Sequence, residues 1–176
     1  MVSYILAIVT GVLVLVADQF TKYLVFTNLE IAKSYDILPK FLDGILGITY
    51  VHNTGGAWGM LQGYTWLLLS ITIVVMLVCI ALLLKYGVRN KLLFWSIMLV
   101  LSGGVGNMID RIFRDGKVID FLEFRFMRFP VFNIADCAIV VGACLLMLYF
   151  FKGIIDDAKQ KHRAIETQES NQNENI

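Results

Sequence analysis

The chain has 176 residues, of which 58% are hydrophobic and only 16% are charged, and its formal net charge is +1. Because soluble domains carry about 25% charged residues, this composition excludes an ordinary soluble globular protein. The near-neutral charge by itself says nothing about nucleic acid, and we expect no nucleic-acid partner. The mean hydropathy of +0.72 instead indicates a membrane protein.

Four segments are long and almost uncharged: residues 3–25, 64–84, 92–109 and 131–151. Each approaches or exceeds the roughly 18–20 residues that a helix needs to cross the hydrocarbon core of a bilayer. We therefore predict a membrane α-helical fold with four transmembrane helices. Residues 1–152 would form one integral-membrane domain. The first segment lacks a basic start and a small-x-small cleavage site, which favours a retained helix over a signal peptide.

The connections between these segments differ in length. Residues 26–63 and 110–128 would form long loops on one membrane face, and residues 85–91 a short loop on the other, together with both termini. The short loop and the tail carry seven basic residues and the opposite face carries eight, so charge alone orients the protein weakly. Residues 153–176 are predicted to be a polar cytoplasmic tail, disordered after about residue 164.

Both long loops contain a strand signal. The stretches "DGILGITYVHN" and "DGKVIDFLEFRF" each begin with an Asp-Gly turn and continue with β-branched and aromatic residues. We predict a small extracytoplasmic β-sheet on the outer membrane surface. Five phenylalanines in or shortly after the third connection would lie at the membrane interface: Phe121, Phe124, Phe126, Phe129 and Phe132.

Cysteine and histidine give no sign of a metal centre. Cys79, Cys137 and Cys144 fall in apolar segments, where we expect buried, unreactive thiols. They lack the spacing of a metal site, and no HExxH motif is present. We expect neither a metal nor an organic cofactor.

The carboxylates carry the functional signal. Asp18 and Asp110 lie near the ends of the first and third spans, Asp120 lies in the third connection, and Asp136 lies near the start of the fourth span. Alternating helix direction places all four at one membrane face. A charge at the centre of a span costs about 2.5–3.5 kcal/mol on insertion scales, so Asp136 is a functional candidate by default.

Helical spacing adds polar partners to these acids. Asp18 and Lys22 are four residues apart and can form an ion pair. Asn133 and Asp136 share a helix face, and a stripe of small and polar residues follows the third span: Gly103, Gly106, Asn107 and Asp110. Small residues allow helices to approach closely in lipid. Each feature also has a structural interpretation, such as ion pairing of Asp110 with Arg111, or simple helix packing.

Two carboxylates that share one proton can hydrolyse a peptide bond. The ionised carboxylate takes a proton from water while the protonated one hydrogen-bonds the scissile carbonyl, and mutual repulsion keeps a single proton between them. The residues alone do not say which two of the four aspartates form this pair. A proton-coupled transporter and a structural assembly subunit stay open as alternatives.

The chain resembles the lipoprotein signal peptidases, also called signal peptidase II. The resemblance rests on five ordered motifs: "DQFTK" (18–22), "HNTGGAWG" (52–59), "GGVGNMIDR" (103–111), "VIDF" (118–121) and "FNIAD" (132–136). It covers about residues 5–150. Gly56, Trp58 and Cys137 depart from the residues common in the family, which affects the fine shape of a pocket.

The resemblance implies an aspartic endopeptidase that removes the signal peptide of bacterial prolipoproteins, cutting before a diacylglyceryl-modified cysteine. It implies Asp120 and Asp136 as the catalytic dyad, both termini in the cytoplasm and a site near the outer leaflet. Membrane lipid would surround the protein. We expect the protein to be a monomer. The supporting or substrate-binding residues that it implies are Asp18, Asn53, Asn107, Asp110, Arg111 and Asn133. To these we add Lys22, from its helical spacing to Asp18, and Gly55, which could line a substrate groove in the first connection.

Overall fold

The computed structural model describes residues 1–35, 39–86 and 90–173. Arg89, in the predicted short loop, lies outside the described residues. The elements in chain order are α1 (Val2–Asn28), β1 (Ser34–Tyr35), β2 (Leu46–Asn53), α2 (Thr65–Tyr86), α3 (Lys91–Phe113), β3 (Val118–Phe124) and α4 (Ile134–Asn173). Within the described ranges, four helices are long and apolar enough to cross a membrane, which confirms the four predicted spans.

Helix α3 is the centre of the bundle and packs against the other three helices. Of its most apolar stretch, 56% is buried, compared with 6–17% for the other helices, whose apolar side chains mostly face outward as lipid-facing residues do. The side chain of Asn90 caps α3 by accepting the N–H groups of Leu92 and Leu93. A buried hydrophobic cluster between α2 and α3 contains Cys79, Leu93 and Ile97.

Two glycines of the predicted stripe let the helices meet closely. A Cβ atom on Gly106 would lie 2.6 Å from Asp18 Oδ2, and one on Gly103 would collide with the backbone carbonyl of Ala135. Only residues without a side chain fit at these positions, because α1 and α4 both press against α3 there. The stripe is therefore a packing face, as predicted.

The three strands form one antiparallel sheet in the order β1-β2-β3. Its β2–β3 register pairs Val51 with Asp120 and Asn53 with Val118, after an irregularity between Ile48 and Val51. Alternation along β3 turns Asp120 to one face and Phe121 to the other. Phe121 is 4% exposed in the core between the sheet and α1, so its predicted place at the membrane interface is wrong.

Helix α4 departs from the prediction at both ends. It begins at Ile134, three residues later than predicted, because Phe132 forms a β-bridge to Leu122. It continues to Asn173, where the sequence predicted disorder from about residue 164. Cys137 and Cys144 lie on its exposed side, so the prediction of buried thiols is correct only for Cys79.

Candidate active site

A buried lysine links α1 to α3. The Lys22 ammonium nitrogen lies 2.9 Å from Asp18 Oδ2 and 3.0 Å from Asp110 Oδ2, and it donates to Asn107 Oδ1 at 3.0 Å. The Lys22 side chain has no solvent exposure. A buried charge is tolerated when it is paired and hydrogen-bonded, and this cation has two carboxylates and an amide oxygen around it. The predicted pair of Asp18 and Lys22 is confirmed.

Asp110 connects α3 to the sheet. Its Oδ1 lies 3.2 Å from Arg114 Nε, and its Oδ2 accepts the backbone N–H of Ile119 at 3.2 Å. Arg114 is therefore the arginine that pairs with Asp110, rather than the neighbouring Arg111 considered from the sequence. Because Ile119 directly precedes Asp120, this contact fixes the position of β3, and with it that of Asp120, relative to α3.

The start of α4 is built around carboxylates. Asp18 Oδ1 accepts the N–H of Ala135 at 2.9 Å. Asn133 and Asp136 form a reciprocal capping box: the Asp136 N–H donates to Asn133 Oδ1 at 2.9 Å, and the Asn133 N–H donates to Asp136 Oδ2 at 3.1 Å. The Asp136 carboxylate thus lies at the positive end of the helix dipole, which favours negative charge.

Asparagine amides hold the two remaining aspartates. Asp120 accepts Nδ2–H groups from Asn53 at 2.8 Å and Asn133 at 2.6 Å. Asp136 Oδ1 accepts the Asn107 Nδ2–H group at 2.7 Å. Since Asn133 also donates to Asn107 Oδ1 at 3.0 Å, the amides connect both carboxylates into one network.

The surroundings of Asp120 favour its protonated form. Burial and the nearby charge of Asp136 raise the pKa of Asp120 from 3.8 to about 7, against the opposing effect of the amide groups of Asn53 and Asn133. Desolvation penalises the ionised form, and a like charge adds to that penalty. A carboxyl group with this pKa can hold a proton near neutral pH.

Asp120 and Asp136 both line a cavity of about 470 Å³. Its wall is polar at the two acids and becomes apolar along the outward side of α4 and the phenylalanine-rich connection before it. The other polar lining residues are Asn53, Asn107 and Arg111, and the apolar ones include Val118, Phe124, Phe129, Pro130, Phe132, Ile139, Val140 and Val141. Such a cavity suits a largely apolar ligand with one polar bond at the acids.

Two further predicted residues contribute in different ways, Arg111 from the cavity wall and Gly55 from behind it. Gly55 works through its backbone, because its N–H donates to Asn53 Oδ1 at 3.0 Å and so orients the amide toward Asp120. Arg111 lines the cavity, and its buried Nε has no hydrogen-bond partner among the described residues. A buried unpaired donor costs about 1–3 kcal/mol, which a bound acceptor would recover.

Gln19 was not among the residues singled out from the sequence. Gln19 donates to both Asp18 Oδ2 and the Gly106 carbonyl, each at 3.1 Å, and so joins α1 to α3. Trp58 and Phe129, whose ring centroids are 6.0 Å apart, lie together at the cavity wall. Gln19 carried a usable signal, since it directly follows Asp18 in the "DQFTK" motif, and Trp58 stands in the "HNTGGAWG" motif.

Known proteins share this architecture. The family model of signal peptidase (SPase) II matches residues 10–152. The chain belongs to the signal peptidase II family. The lipoprotein signal peptidase of Bacillus pumilus is 40% identical over 92% of this chain and 97% of its own length. That of Caldanaerobacter subterraneus subsp. tengcongensis is 44% identical over 84% of this chain and 98% of its own length.

Solved structures support the same relationship. A bacterial membrane enzyme determined by the in meso method at 2.3 Å resolution has 32% identity and a TM-score of 0.73, over 83% of this chain and 87% of that one. A second, at 1.9 Å resolution, has a TM-score of 0.70 at the same identity. As a signal peptidase II, the chain is a multi-pass bacterial membrane protein and a membrane aspartic protease.

Proposed function

We propose that the chain removes signal peptides from bacterial prolipoproteins by hydrolysing the bond before the diacylglyceryl-modified cysteine, with Asp120 and Asp136 as the catalytic dyad. One observation supports this assignment above the others. These two acids share the wall of one cavity, and the atoms that hydrogen-bond them are amide donors rather than cations. Such surroundings leave a carboxyl group free to exchange a proton.

The roles within the dyad follow from the surroundings of each acid. Asp136, at the start of α4, is the ionised base and takes a proton from the attacking water. Asp120 is the protonated acid and gives its hydrogen to the carbonyl oxygen as the tetrahedral intermediate forms. On collapse, Asp120 recovers that proton, Asp136 protonates the leaving amine, and the peptide bond breaks without a covalent enzyme intermediate.

The other polar residues support this chemistry. Asn53, Asn107 and Asn133 orient the two carboxyl groups by their hydrogen bonds. Arg111 lines the cavity and binds a backbone carbonyl of the substrate through its guanidinium group. Four further residues act as positioning groups, since their side chains or backbone are engaged within the scaffold: Asp18, Lys22, Gly55 and Asp110.

The proposed orientation places both termini in the cytoplasm and the dyad near the outer leaflet, with the enzyme working as a monomer. In support, the sheet and the four acids share one end of the bundle, and α1 begins at the other end. The apolar wall along α4 would receive the signal peptide or the acyl chains. A single chain supplies every polar group invoked in the mechanism.

The test is a cleavage assay with a matched pair of substrates. Purified protein in detergent is mixed with a diacylated prolipoprotein and with the same polypeptide without lipid. Mass spectrometry should show release of the signal peptide with the modified cysteine as the new N-terminus, and the bare substrate should be cut poorly. A transporter or an assembly subunit would release nothing, and equal rates on both substrates would refute the role of the lipid.

A further inference from the structure

A second, more open groove adjoins the catalytic cavity. Its volume is about 800 Å³. Trp58, Phe124, Phe129 and Pro130 line both spaces, so the aromatic residues form a shared boundary rather than a closed wall. The rest of the groove is lined by Glu123 and by residues 125–128.

The charged side chains of this groove differ in whether they already have a bonding partner. Glu123 accepts a hydrogen bond from the Thr49 hydroxyl at 2.6 Å, and Arg125 Nη1 lies 3.4 Å from Asp43 Oδ1. Arg128 is exposed and forms no ion pair with any residue in the part of the chain that the structure describes. The groove therefore offers one uncommitted guanidinium group.

The backbone around Trp58 is arranged to hold this boundary. Trp58 has φ = +60°, a conformation that non-glycine residues rarely adopt, and it lies between Gly56 and Gly59 at φ = +68° and +66°. Because such a tryptophan is strained, the surrounding loop must stabilise its position. Its ring contacts Phe129 where the cavity meets the groove.

We propose that this groove binds the substrate residues that follow the lipidated cysteine, and that Arg128 gives it a preference for acidic side chains. The inference rests on the proposed function. A peptide bond held at Asp120 and Asp136 has two chain continuations, and the acyl chains branch from the cysteine beside it. The apolar wall along α4 suits the signal peptide and the acyl chains, so the polar mature chain is the part of the substrate that leaves past Trp58 and Phe129 into the groove.

The experiment compares diacylated substrates that differ only in the second and third residues after the cysteine, either aspartate or lysine. Wild-type enzyme should show a higher kcat/KM for the acidic substrate by roughly two- to fivefold per charge, the size of an exposed ion pair. High salt should reduce this ratio. Arg128→Gln should abolish the preference, and Arg128→Glu should reverse it.

Lys33→Gln is the matched control. Lys33 is exposed, lies in the first connection and pairs with Glu30 rather than lining the groove, so its loss changes net charge equally. This variant should keep the wild-type ratio. If wild type cuts both substrates at equal rates, the subsite is overturned while the proposed function stands; if it cuts neither, the proposed function fails first.

Anionic lipid is the competing ligand for Arg128. If Arg128→Gln lowers cleavage of both substrates equally, and only in micelles that contain an anionic phospholipid, then Arg128 binds headgroups. That outcome would also overturn the substrate subsite.

Discussion

Two pairs of aspartates lie at the same end of the bundle in contrasting surroundings. Asp18 and Asp110 are fully buried and share the Lys22 ammonium group, whereas Asp120 and Asp136 line a cavity and accept hydrogen bonds from amides. Burial beside a cation produces a fixed ionic scaffold. Burial beside a second carboxylate and neutral donors produces a group that can hold a proton. On the proposed assignment, the difference between a structural acid and a catalytic one is set by the partner, since the residue type is identical.

The largest effect that tests this contrast is loss of the dyad. Asp120→Asn and Asp136→Asn should each lower kcat by about 10³-fold or more, because a near-isosteric amide cannot exchange the required proton. The thermal unfolding midpoint in detergent should stay close to that of wild type. Cleavage of a diacylated prolipoprotein measures the rate.

Asp115→Asn is the control for these variants. Asp115 is an exposed acid of the same connection with φ = +52°, which asparagine tolerates well, so activity should be retained. Rapid turnover by Asp120→Asn or Asp136→Asn would remove that residue from the dyad.

Asp18 and Asp110 should instead affect stability when they lose the cation that they share. Lys22→Met leaves the carboxylates of Asp18 and Asp110 buried without their shared cation. Removing one partner of a buried ion pair costs about 3–5 kcal/mol, so we expect a large fall in the thermal unfolding midpoint and in the yield of folded protein. Combining it with Asp18→Asn and Asp110→Asn should recover much of the loss, because no buried carboxylate is then left without its cation. Arg114, the other partner of Asp110, is partly exposed and keeps contact with solvent.

A Lys22→Met protein as stable as wild type would contradict this ionic scaffold. So would a triple variant that is no more stable than the single one.

The sequence predicted one half of this contrast more readily than the other. The pairing of Asp18 with Lys22 follows from helical spacing within α1. The reach of Lys22 to Asp110 and Asn107 depends on how closely α1 approaches α3, which the glycines indicate only qualitatively. The contact of Asn53 with Asp120 depends on a strand irregularity between Ile48 and Val51 that no residue pattern predicted.

Larger elements show the same division. Hydropathy predicted all four spans, because crossing a bilayer demands a long apolar run. It did not predict that α4 continues through its polar end to Asn173, since composition there resembles a disordered segment. The burial of Phe121 was missed because alternation along β3, rather than aromatic character, decides which face it joins.

The next largest expected effect is the pH dependence of the cleavage rate, which follows from the surroundings of Asp120. The pKa of Asp120 is raised to about 7, so its protonated form exists below that value and is lost as the pH rises through it. The rate of cleavage should therefore fall above about pH 7, approaching tenfold per pH unit. Asn53→Ala removes a donor that stabilises the ionised carboxylate and should move this alkaline limb to higher pH.

A pH–rate profile from about pH 5 to about pH 9 measures both effects. The position of the limb is the quantity to compare, since Asn53→Ala also lowers the rate itself. A limb that stays in place in Asn53→Ala, or moves to lower pH, would contradict the role assigned to that hydrogen bond.

The smallest effect concerns how the scaffold acid is held against α3. A methyl group on Gly106 would lie 2.6 Å from Asp18 Oδ2, so Gly106→Ala must displace the carboxylate that caps α4, at a cost of about 1–3 kcal/mol. Gly104→Ala is its matched control on the same helix. Its methyl group would meet Met76 Cγ at 3.6 Å, an ordinary contact, and alanine favours helix by up to about 1 kcal/mol. Thermal unfolding of the two variants should therefore move in opposite directions. If both were equally stable, the close approach of α1 to α3 at Asp18 would not be what fixes the start of α4.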